Sequence, residues 1–311
     1  CRRQRRKAHR REEALAGQGP GAGDRHHRSP DLGRPLRTAD EPGRLGIGLE
    51  IARAALAAGD HVVATARRKQ SVIDALGERD DVLALALDVT DKQQIAAAVD
   101  AATTRFGRID ILVNNAGYGH LGLFEQTTDA EVRMQFNTNV FGLMDVTRAV
   151  LPVMRAQRSG HVLNLSSVTG IAGFAMASLY CASKFAVEGF SLSLAEEVKQ
   201  FGIHVTLVAP GFIRTDFFDP SSMVLGDVSL PDYAAYDEAL RAAYLPMNHQ
   251  QPGDPSRLAQ AVLQLVGSEQ PPLRWAAGSD AVHIVDERLA QLKSELDAAR
   301  TLSASVDGTW T

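Results

Sequence analysis

The sequence has little cysteine and no long apolar run, and both absences narrow the class of protein. Only Cys1 and Cys181 occur among 311 residues, so no disulfide framework is expected and a reducing, cytoplasmic compartment fits. No apolar stretch approaches the roughly 18 to 20 residues that a membrane-spanning helix needs. No apolar segment follows the basic start of the chain, as it would in a signal peptide. We therefore expect no membrane partner.

Basic charge is scarce outside one segment. The formal net charge is -4, so the chain as a whole has no polyanion-binding signature. Residues 1–45 carry 12 Lys/Arg and 6 Asp/Glu, whereas the remaining 266 residues carry 21 and 31. The first segment is rich in Arg, Gly and Pro, which predicts disorder and places a boundary before a folded domain at 46–311. An arm that binds nucleic acid is the alternative, but we expect no nucleic-acid partner.

From Gly46 onward, short apolar runs alternate with helical patterns. Strands that are apolar throughout indicate a parallel sheet covered on both faces. Right-handed crossovers then favour a single α/β domain, a Rossmann-type doubly wound parallel sheet. The predicted strands cover 61–66, 82–89, 109–117, 160–167, 203–211 and 273–278. The first predicted helix ends at Gly59, and the later ones cover 70–77, 92–106, 130–157, 178–200, 256–267 and 280–300.

Two later segments have patterns of their own. Residues 216–255 place aromatic and Met residues among Pro, Asp and Ser, which predicts a lid over a substrate site. The helix at 280–300 carries an apolar stripe in alternating three- and four-residue steps. Such a stripe either packs on the body of the domain or forms a subunit contact.

Tyr180 and Lys184 stand four residues apart on a predicted helix, and therefore on one face of it. Such a pair alone is commonly a solvated one. However, Ser167 ends the preceding predicted strand, while Asn114–Gly117 and Pro210-Gly211 close two others. In an open parallel sheet, ligands bind outside the carboxyl ends of the strands. The residues together predict a ligand site at that edge.

With these residues the sequence resembles the short-chain dehydrogenase/reductase family, whose active site is Tyr-x-x-x-Lys. The resemblance runs from about Gly46 to the C-terminus. It implies an oxidoreductase that acts on CH-OH donors and transfers a hydride between nicotinamide and a carbonyl or secondary alcohol carbon. The stretches that carry it are GIG (46–48), DV (88–89), NNAG (114–117), NVFG (139–142), SS (166–167), YCASK (180–184) and PGFIRT (210–215).

The resemblance implies four catalytic residues. Tyr180 would donate the proton in reduction and remove it in oxidation. A free tyrosine has a pKa of about 10, and the ammonium of Lys184 would lower it and bind the nicotinamide ribose. Ser167 would hold the substrate oxygen against Tyr180. Asn139 would help to keep a water-linked proton path to the lysine, with packing inside its helix as the alternative.

The resemblance also implies a set of cofactor-binding residues. The glycine-rich entry to the first helix would meet the pyrophosphate with its amides. Residues 88–89 would contact adenine, and residues 115–117 would contact the adenosine ribose. Ile213 and Thr215 would hold the nicotinamide carboxamide. The full set is Gly46, Ile47, Gly48, Arg67, Asp88, Val89, Asn115, Ala116, Gly117, Tyr180, Lys184, Pro210, Gly211, Ile213 and Thr215.

Arg67 bears on the choice between NADP(H) and NAD(H). Members that prefer NAD carry an acidic residue after the second strand, which binds the ribose 2′-hydroxyl. Here that strand ends Ala66-Arg67-Arg68, without an acid. A guanidinium suits a 2′-phosphate in charge and geometry. NADP(H) is therefore predicted over NAD(H), and a solvated basic strand end is the alternative.

The same resemblance bears on the substrate and the assembly, and residue spacing bears on metal binding. An apolar wall at 216–255 predicts a small apolar ketone or alcohol as substrate, by analogy with members that act on lipophilic compounds. The family pairs long helices, which predicts a homodimer or homotetramer. His26 and His27 have no partners at metal-ligand spacing, so no metal is predicted.

The turn before Gly46 departs from the family's pattern, Thr-Gly-x-x-x-Gly-x-Gly. The first glycine should stand at position 42, which is Pro42, and Gly43 comes one place late. Proline has no N–H and cannot adopt the positive φ that glycine permits. The strand before the turn should be buried on both faces, yet residues 34–40 would place charges there. The first strand is therefore expected to be atypical or missing.

A shifted reading frame is one account of this departure. Codons for Glu41–Gly46, read one base earlier, permit Thr-Gly-Ala-Ser-Arg directly before Gly46, the family's turn in register. The preceding codon would then encode Arg or a stop, so the account does not extend to the strand. The alternatives to an active enzyme are a protein impaired by its N-terminal segment and a non-enzymatic cofactor-binding protein, which usually lacks the Tyr or the Lys.

Overall fold

The computed structural model describes residues 46–219, 222–226 and 230–308, which all belong to one compact unit. The predicted disorder of 1–45, the expected defect in the first strand and the turn before Gly46 lie outside these residues. Gly46, the first of the described residues, is the N-cap of the first helix. None of the helices within the described ranges is long and apolar enough to cross a bilayer.

Parallel strands alternate with helices, as the apolar pattern predicts. Predicted boundaries differ from the observed ones by a few residues, because apolar residues continue past the last ladder hydrogen bond. The helices are α1 (Ile47–Ala57), α2 (Lys69–Leu76), α3 (Lys92–Phe106), α4 (Asp129–Phe136), α5 (Leu143–Gln157), α6 (Ser178–Val198), α7 (Ala234–Tyr244), α8 (Pro255–Val266) and α9 (Ser279–Ala304). The strands are β1 (Val62–Ala66), β2 (Val82–Ala86), β3 (Ile111–Asn114), β4 (Gly119–Leu121), β5 (Gly160–Leu165), β6 (Ile203–Pro210), β7 (Met223–Leu225) and β8 (Arg274–Ala277).

The strands form parallel ladders with helices on both faces. β3, β5, β6 and β8 pair in that order, and β1 pairs with β2. β5 and β6 are central because their apolar residues are buried on both sides. One face packs against α1 and α8 through Ile51, Leu163, Val208, Leu258 and Val262. The other packs against α5 and α6 through Val150, Met154, Val162, Leu194 and Val205.

β1 and β3 each have one edge without a strand partner among the described residues. All residues of both strands line one cavity of about 1160 Å³. Side chains from both helical layers line it too. The cavity lies between the free edges of two parallel strands and has apolar side chains above and below it. Such a cavity suits a further strand that is buried on both faces. The apolar side chains from the two helical layers that line it belong to Ile51, Ala55, Ile95, Ala102, Val146, Val150 and Val262.

The structure adds features that the sequence pattern does not predict. The predicted helix at 130–157 contains a π-helical segment, Asn137–Gly142, between α4 and α5. The segment 216–255 is more regular than expected, because it holds α7 and β7. β7 pairs in parallel with β4 in a separate two-stranded sheet.

Candidate active site

The carboxyl ends of the parallel strands bring the predicted site residues together. Ser167 follows β5, and Pro210 is the last residue of β6. Both line the cavity together with Tyr180 and Lys184 on α6. The prediction that strand ends and the Tyr-x-x-x-Lys helix share one edge therefore agrees with the geometry.

Tyr180 lies in the first turn of α6 and is 9% exposed. Burial raises the pKa of its phenol well above the usual range, and the neighbouring Ser167 hydroxyl partly offsets this rise. Ser167 is held in place because its Oγ accepts a hydrogen bond from the Thr169 amide at 3.1 Å. The sequence predicts a tyrosine pKa lowered by Lys184, whereas in the folded protein the effect of burial is larger. Tyr180 is therefore a neutral phenol near neutral pH.

Lys184 is buried beneath Tyr180. Its Nζ donates a hydrogen bond to the Leu165 carbonyl at 2.6 Å and lies 5.7 Å from the centre of the Tyr180 ring. Burial lowers the pKa of this ammonium to about 8, and the negative charge of Glu188 opposes the shift. Glu188 is itself paired with Arg274 at 2.6 Å. The lysine is thus fixed at the end of β5 and titrates near physiological pH.

We expect Lys184→Met to remove a pH dependence of stability. The pKa of Lys184 is about 8 in the folded state and about 10.4 in an unfolded chain. Between these values the unfolded state binds a proton that the folded state lacks, so the free energy of unfolding rises with pH. In the wild type this contribution raises the free energy of unfolding by on the order of 2 kcal/mol between pH 8 and 10, and the variant should lack it.

Urea unfolding at several pH values measures this difference. Lys199→Met is the matched control, because the Lys199 side chain is 66% exposed and its loss should leave the slope unchanged. Equal slopes for Lys184→Met and the wild type would contradict the assignment.

Asn139 lies in the π-helical segment and is 1% exposed. Its Oδ1 accepts a hydrogen bond from the Tyr118 amide at 3.1 Å, and its Nδ2 donates to the Tyr118 carbonyl at 2.9 Å. Nδ2 also lies 3.3 Å from Ser183 Oγ. Asn139 therefore clamps the backbone that follows β3, close to the cavity residue Gly117. The proton path that the resemblance implies stays a prediction.

The start of α1 fits a pyrophosphate. Gly46 caps the helix without a side-chain hydrogen bond. The first hydrogen bond of the helix runs from the Glu50 amide to the Gly46 carbonyl. The amides of Ile47, Gly48 and Leu49 thus have no partner inside the helix, and these residues line the cavity. A Cβ on Gly48 would stand 2.6 Å from Asn115 Nδ2, so a larger residue at position 48 would displace the Asn115 side chain. Amides at a helix N-terminus suit an anion.

The residues predicted for the adenosine end lie around the same cleft. Asn115–Gly117 are exposed in the turn after β3, and they line the cavity together with Val89. The Asp88 carboxylate accepts hydrogen bonds from the Thr90 amide and hydroxyl at 2.9 and 2.7 Å, within its own turn. Arg67 is exposed immediately after β1, at the carboxyl edge. Their contacts with a cofactor remain predictions.

The loop after β6 holds the residues predicted for the nicotinamide end. Ile213 and Thr215 are buried there and line the cavity. Asp280, which no sequence pattern singles out, accepts a hydrogen bond from the Phe212 amide at 2.7 Å. Its carboxyl group would lie 2.4 Å from a Cβ on Gly211. A carboxylate in the first turn of α9 therefore shapes this loop, and only the fold brings the two together.

Aromatic side chains surround Tyr180. The Phe217 ring lies 5.3 Å from the Tyr180 ring, and Phe218 packs against Phe217 with ring centres 5.7 Å apart. Phe174 and Tyr244 line the same cavity. Aromatic side chains therefore contribute much of the wall of this cavity, and the Ser167 and Thr169 hydroxyls are polar groups next to the phenol.

One group of potential metal ligands occurs among the described residues. Asp216, Asp219 and His249 place one ligand atom each within 4.8 Å of one another. Asp219 already accepts a hydrogen bond from Asn248 at 2.7 Å and lies 3.2 Å from His249 Nε2. Hydrogen-bond partners of this kind already occupy the Asp219 carboxylate, and Asp216 also lines the cavity that contains Tyr180.

A buried tyrosine and lysine at the mouth of a cleft suited to a dinucleotide define a nicotinamide-dependent oxidoreductase. Comparison with known proteins identifies the family. The chain belongs to the short-chain dehydrogenase family, because the model of short chain dehydrogenases matches residues 43–223. It is an enzyme of the class that acts on CH-OH donors with NAD(P) as acceptor.

Two curated relatives extend this similarity over most of the chain. The oxidoreductase BOA17 of Botryotinia fuckeliana is 40% identical over 263 residues, which are 83% of this chain and 94% of that protein. The 3-ketodihydrosphingosine reductase of Bacteroides thetaiotaomicron is 39% identical over 219 residues, or 70% and 79% of the two chains.

Solved structures show the same fold. A short-chain dehydrogenase from Streptomyces avermitilis is 40% identical, with a TM-score of 0.76 over 85% of this chain and 95% of that one. ElxO, solved with NADP bound, is 28% identical, with a TM-score of 0.59 over 74% and 90%.

Proposed function

We propose that this enzyme uses NADP(H) to interconvert an apolar ketone and the corresponding secondary alcohol. The observation that carries the proposal is the neutral, buried phenol of Tyr180, which lies beside Ser167 and above Lys184 in an aromatic pocket. A neutral phenol is a proton donor, so reduction of the ketone suits the site near neutral pH. The name of the Bacteroides relative, a ketone reductase, supports this choice.

The chain's own groups have distinct tasks in this reaction. A bound nicotinamide supplies or accepts the hydride. The Ser167 hydroxyl donates a hydrogen bond to the substrate oxygen, and Tyr180 donates its proton to that oxygen during reduction. The phenolate left behind is stabilised by the nearby charge of Lys184. In oxidation the same phenolate takes the proton back.

The aromatic wall selects the substrate. Phe217 packs against the Tyr180 ring, and Phe174 and Tyr244 line the same cavity. Their apolar surface favours a substrate with little polarity beyond the reacting oxygen. The wall also excludes water, which strengthens the hydrogen bonds to that oxygen. We propose a lid role for the surrounding segment 216–255.

Purified protein incubated with NADPH and a panel of aliphatic, aromatic and polycyclic ketones tests the function. Consumption of NADPH with apolar ketones, and little with small polar ones, is the expected result. NADPH binding without turnover across the panel would favour the non-enzymatic alternative. Failure to bind NADPH would favour the alternative in which the N-terminal segment impairs the enzyme.

Arg67→Glu should reverse the cofactor preference. Arg67 lies at the carboxyl edge after β1, where a guanidinium would pair with the 2′-phosphate. Loss of a hydrogen bond to a charged group costs about 1.5 to 3 kcal/mol, so the kcat/KM ratio for NADPH over NADH should fall about tenfold to a hundredfold. Steady-state kinetics with both cofactors measures the ratio.

Arg68→Glu makes the same charge change at the adjacent residue, which is the N-cap of α2, and should change the ratio less. A wild type that prefers NADH, or an unchanged ratio in Arg67→Glu, would refute the role of Arg67.

A further inference from the structure

The C-terminal helix α9 extends along a surface that the rest of the described chain does not cover. Ala281 is its one buried residue within the described helix. All residues from Leu289 to Ala304 are exposed, a length of about 24 Å at 1.5 Å per residue. Most helices in proteins are stabilised by packing of an apolar face, so this part of α9 is suited to packing against a partner.

The exposed part of α9 carries an apolar seam. Val282, Leu289, Leu292 and Leu296 are 50%, 58%, 44% and 53% exposed. Together with Val285 they follow steps of three, four, three and four residues. This is the 3.5-residue spacing of a two-helix coiled coil, with 282, 289 and 296 at the a positions and 285 and 292 at the d positions. The spacing suits a second helix better than a sheet face.

We infer that two copies of this chain pair through α9, with the helices antiparallel. The residues that flank the seam select this orientation. Antiparallel helices place e opposite e and g opposite g, so Asp286 faces Lys293 of the second copy and Arg288 faces its Glu295. By symmetry each pair occurs twice. Parallel helices would place Arg288 against Lys293, a repulsive pair, and Glu295 against Arg300, an attractive one. Only the antiparallel arrangement makes every flanking charge pair attractive.

The same register aligns the seam. Leu289 packs against Leu292 of the second copy, Val285 against its Leu296, and Val282 against its Ala299. The two-fold symmetry of the helix pair repeats these three contacts in reverse order along the second half of the seam. No apolar residue of the seam therefore faces a charge. Within one chain Arg288, which is 25% exposed, lies 3.5 Å from the more exposed Glu295, and Lys293 pairs with Asp297. Ion pairs at a protein surface are weak enough to exchange partners.

Sedimentation equilibrium of the full chain tests the pairing. Leu289→Glu with Leu292→Glu should halve the mass of whatever assembly the wild type forms. Ala290→Glu with Ser294→Glu adds the same charge at exposed positions outside the seam and should leave the mass unchanged. An unchanged mass in the seam variant, or equal dissociation in the control, would overturn the inference. Binding of the wild type, but not of the seam variant, to phosphatidylcholine vesicles at unchanged mass would overturn it in favour of a membrane surface.

A single charge reversal tests the orientation. Lys293→Glu places two acidic residues opposite each other in the antiparallel pair and should weaken dimerisation roughly tenfold. Adding Asp286→Lys should restore it. In a parallel pair the same Lys293→Glu change would relieve repulsion with Arg288, so tighter dimerisation would reject the antiparallel arrangement. Circular dichroism at equal concentration checks that α9 remains helical in each variant.

Discussion

Replacing Tyr180 with phenylalanine should lower turnover of the ketone about 10²- to 10⁴-fold and lower the affinity for NADPH far less, because the other cofactor-binding residues remain. In the proposed reaction the phenol is the proton donor, and its raised pKa keeps it protonated. Phenylalanine retains the ring that packs against Phe217, so the fold and the apolar wall persist. The kcat with an apolar ketone and the Kd from NADPH fluorescence measure the two effects separately.

A matched control removes another tyrosine hydroxyl from the same protein. Tyr236 lies on α7 and is 51% exposed, so Tyr236→Phe should retain wild-type turnover. If Tyr180→Phe kept most of the activity, another group would be the proton donor and the proposed role of Tyr180 would be wrong.

A chain with a rebuilt N-terminal strand should bind NADPH at least about tenfold more tightly than the present one. In this variant, residues 35–40 become six apolar, mostly β-branched residues and residues 41–45 become Thr-Gly-Ala-Ser-Arg. The strand would pair with the edges of β1 and β3 and fill the cavity between them. The turn would add amide donors beside α1, each worth about 1.5 to 3 kcal/mol to a charged phosphate. Isothermal titration with NADPH and the thermal midpoint measure both gains.

The control for this variant keeps the turn but places Ser, Thr and Asn at 35–40. It should gain less in thermal midpoint, because polar residues cannot be buried without hydrogen-bond partners. Equal gains in both variants would show that the cavity is not the place of the strand. Equally tight NADPH binding by the present chain would show that its N-terminal segment does not impair the cofactor site.

Local patterns predicted most elements of this fold. Apolar runs such as 203–211 became strands, and the pattern at 92–106 became α3 with the predicted bounds. These elements follow from side-chain period and turn residues, which act over short distances. The pairing of β4 with β7 could not be predicted in this way, because three-residue strands about a hundred positions apart carry no periodic signal.

The pKa of Tyr180 is an instructive failure of prediction. The sequence shows a lysine four residues away and predicts a lowered pKa. It does not show how deeply the phenol is buried, and burial has the larger effect, in the opposite direction. Asp280 was missed for a related reason, since its partner, the Phe212 amide, lies 68 positions earlier in the chain.

The sequence by itself determined the family and the parallel sheet, and it predicted the Tyr180, Lys184 and Ser167 set, because motif order and apolar period are properties of the chain. The tertiary structure alone decided the protonation of Tyr180 and Lys184 and the shape that Asp280 imposes on the loop after β6. It also showed that β1 and β3 border one apolar cavity. These properties depend on burial and on contacts between distant residues, which arise only when the chain folds.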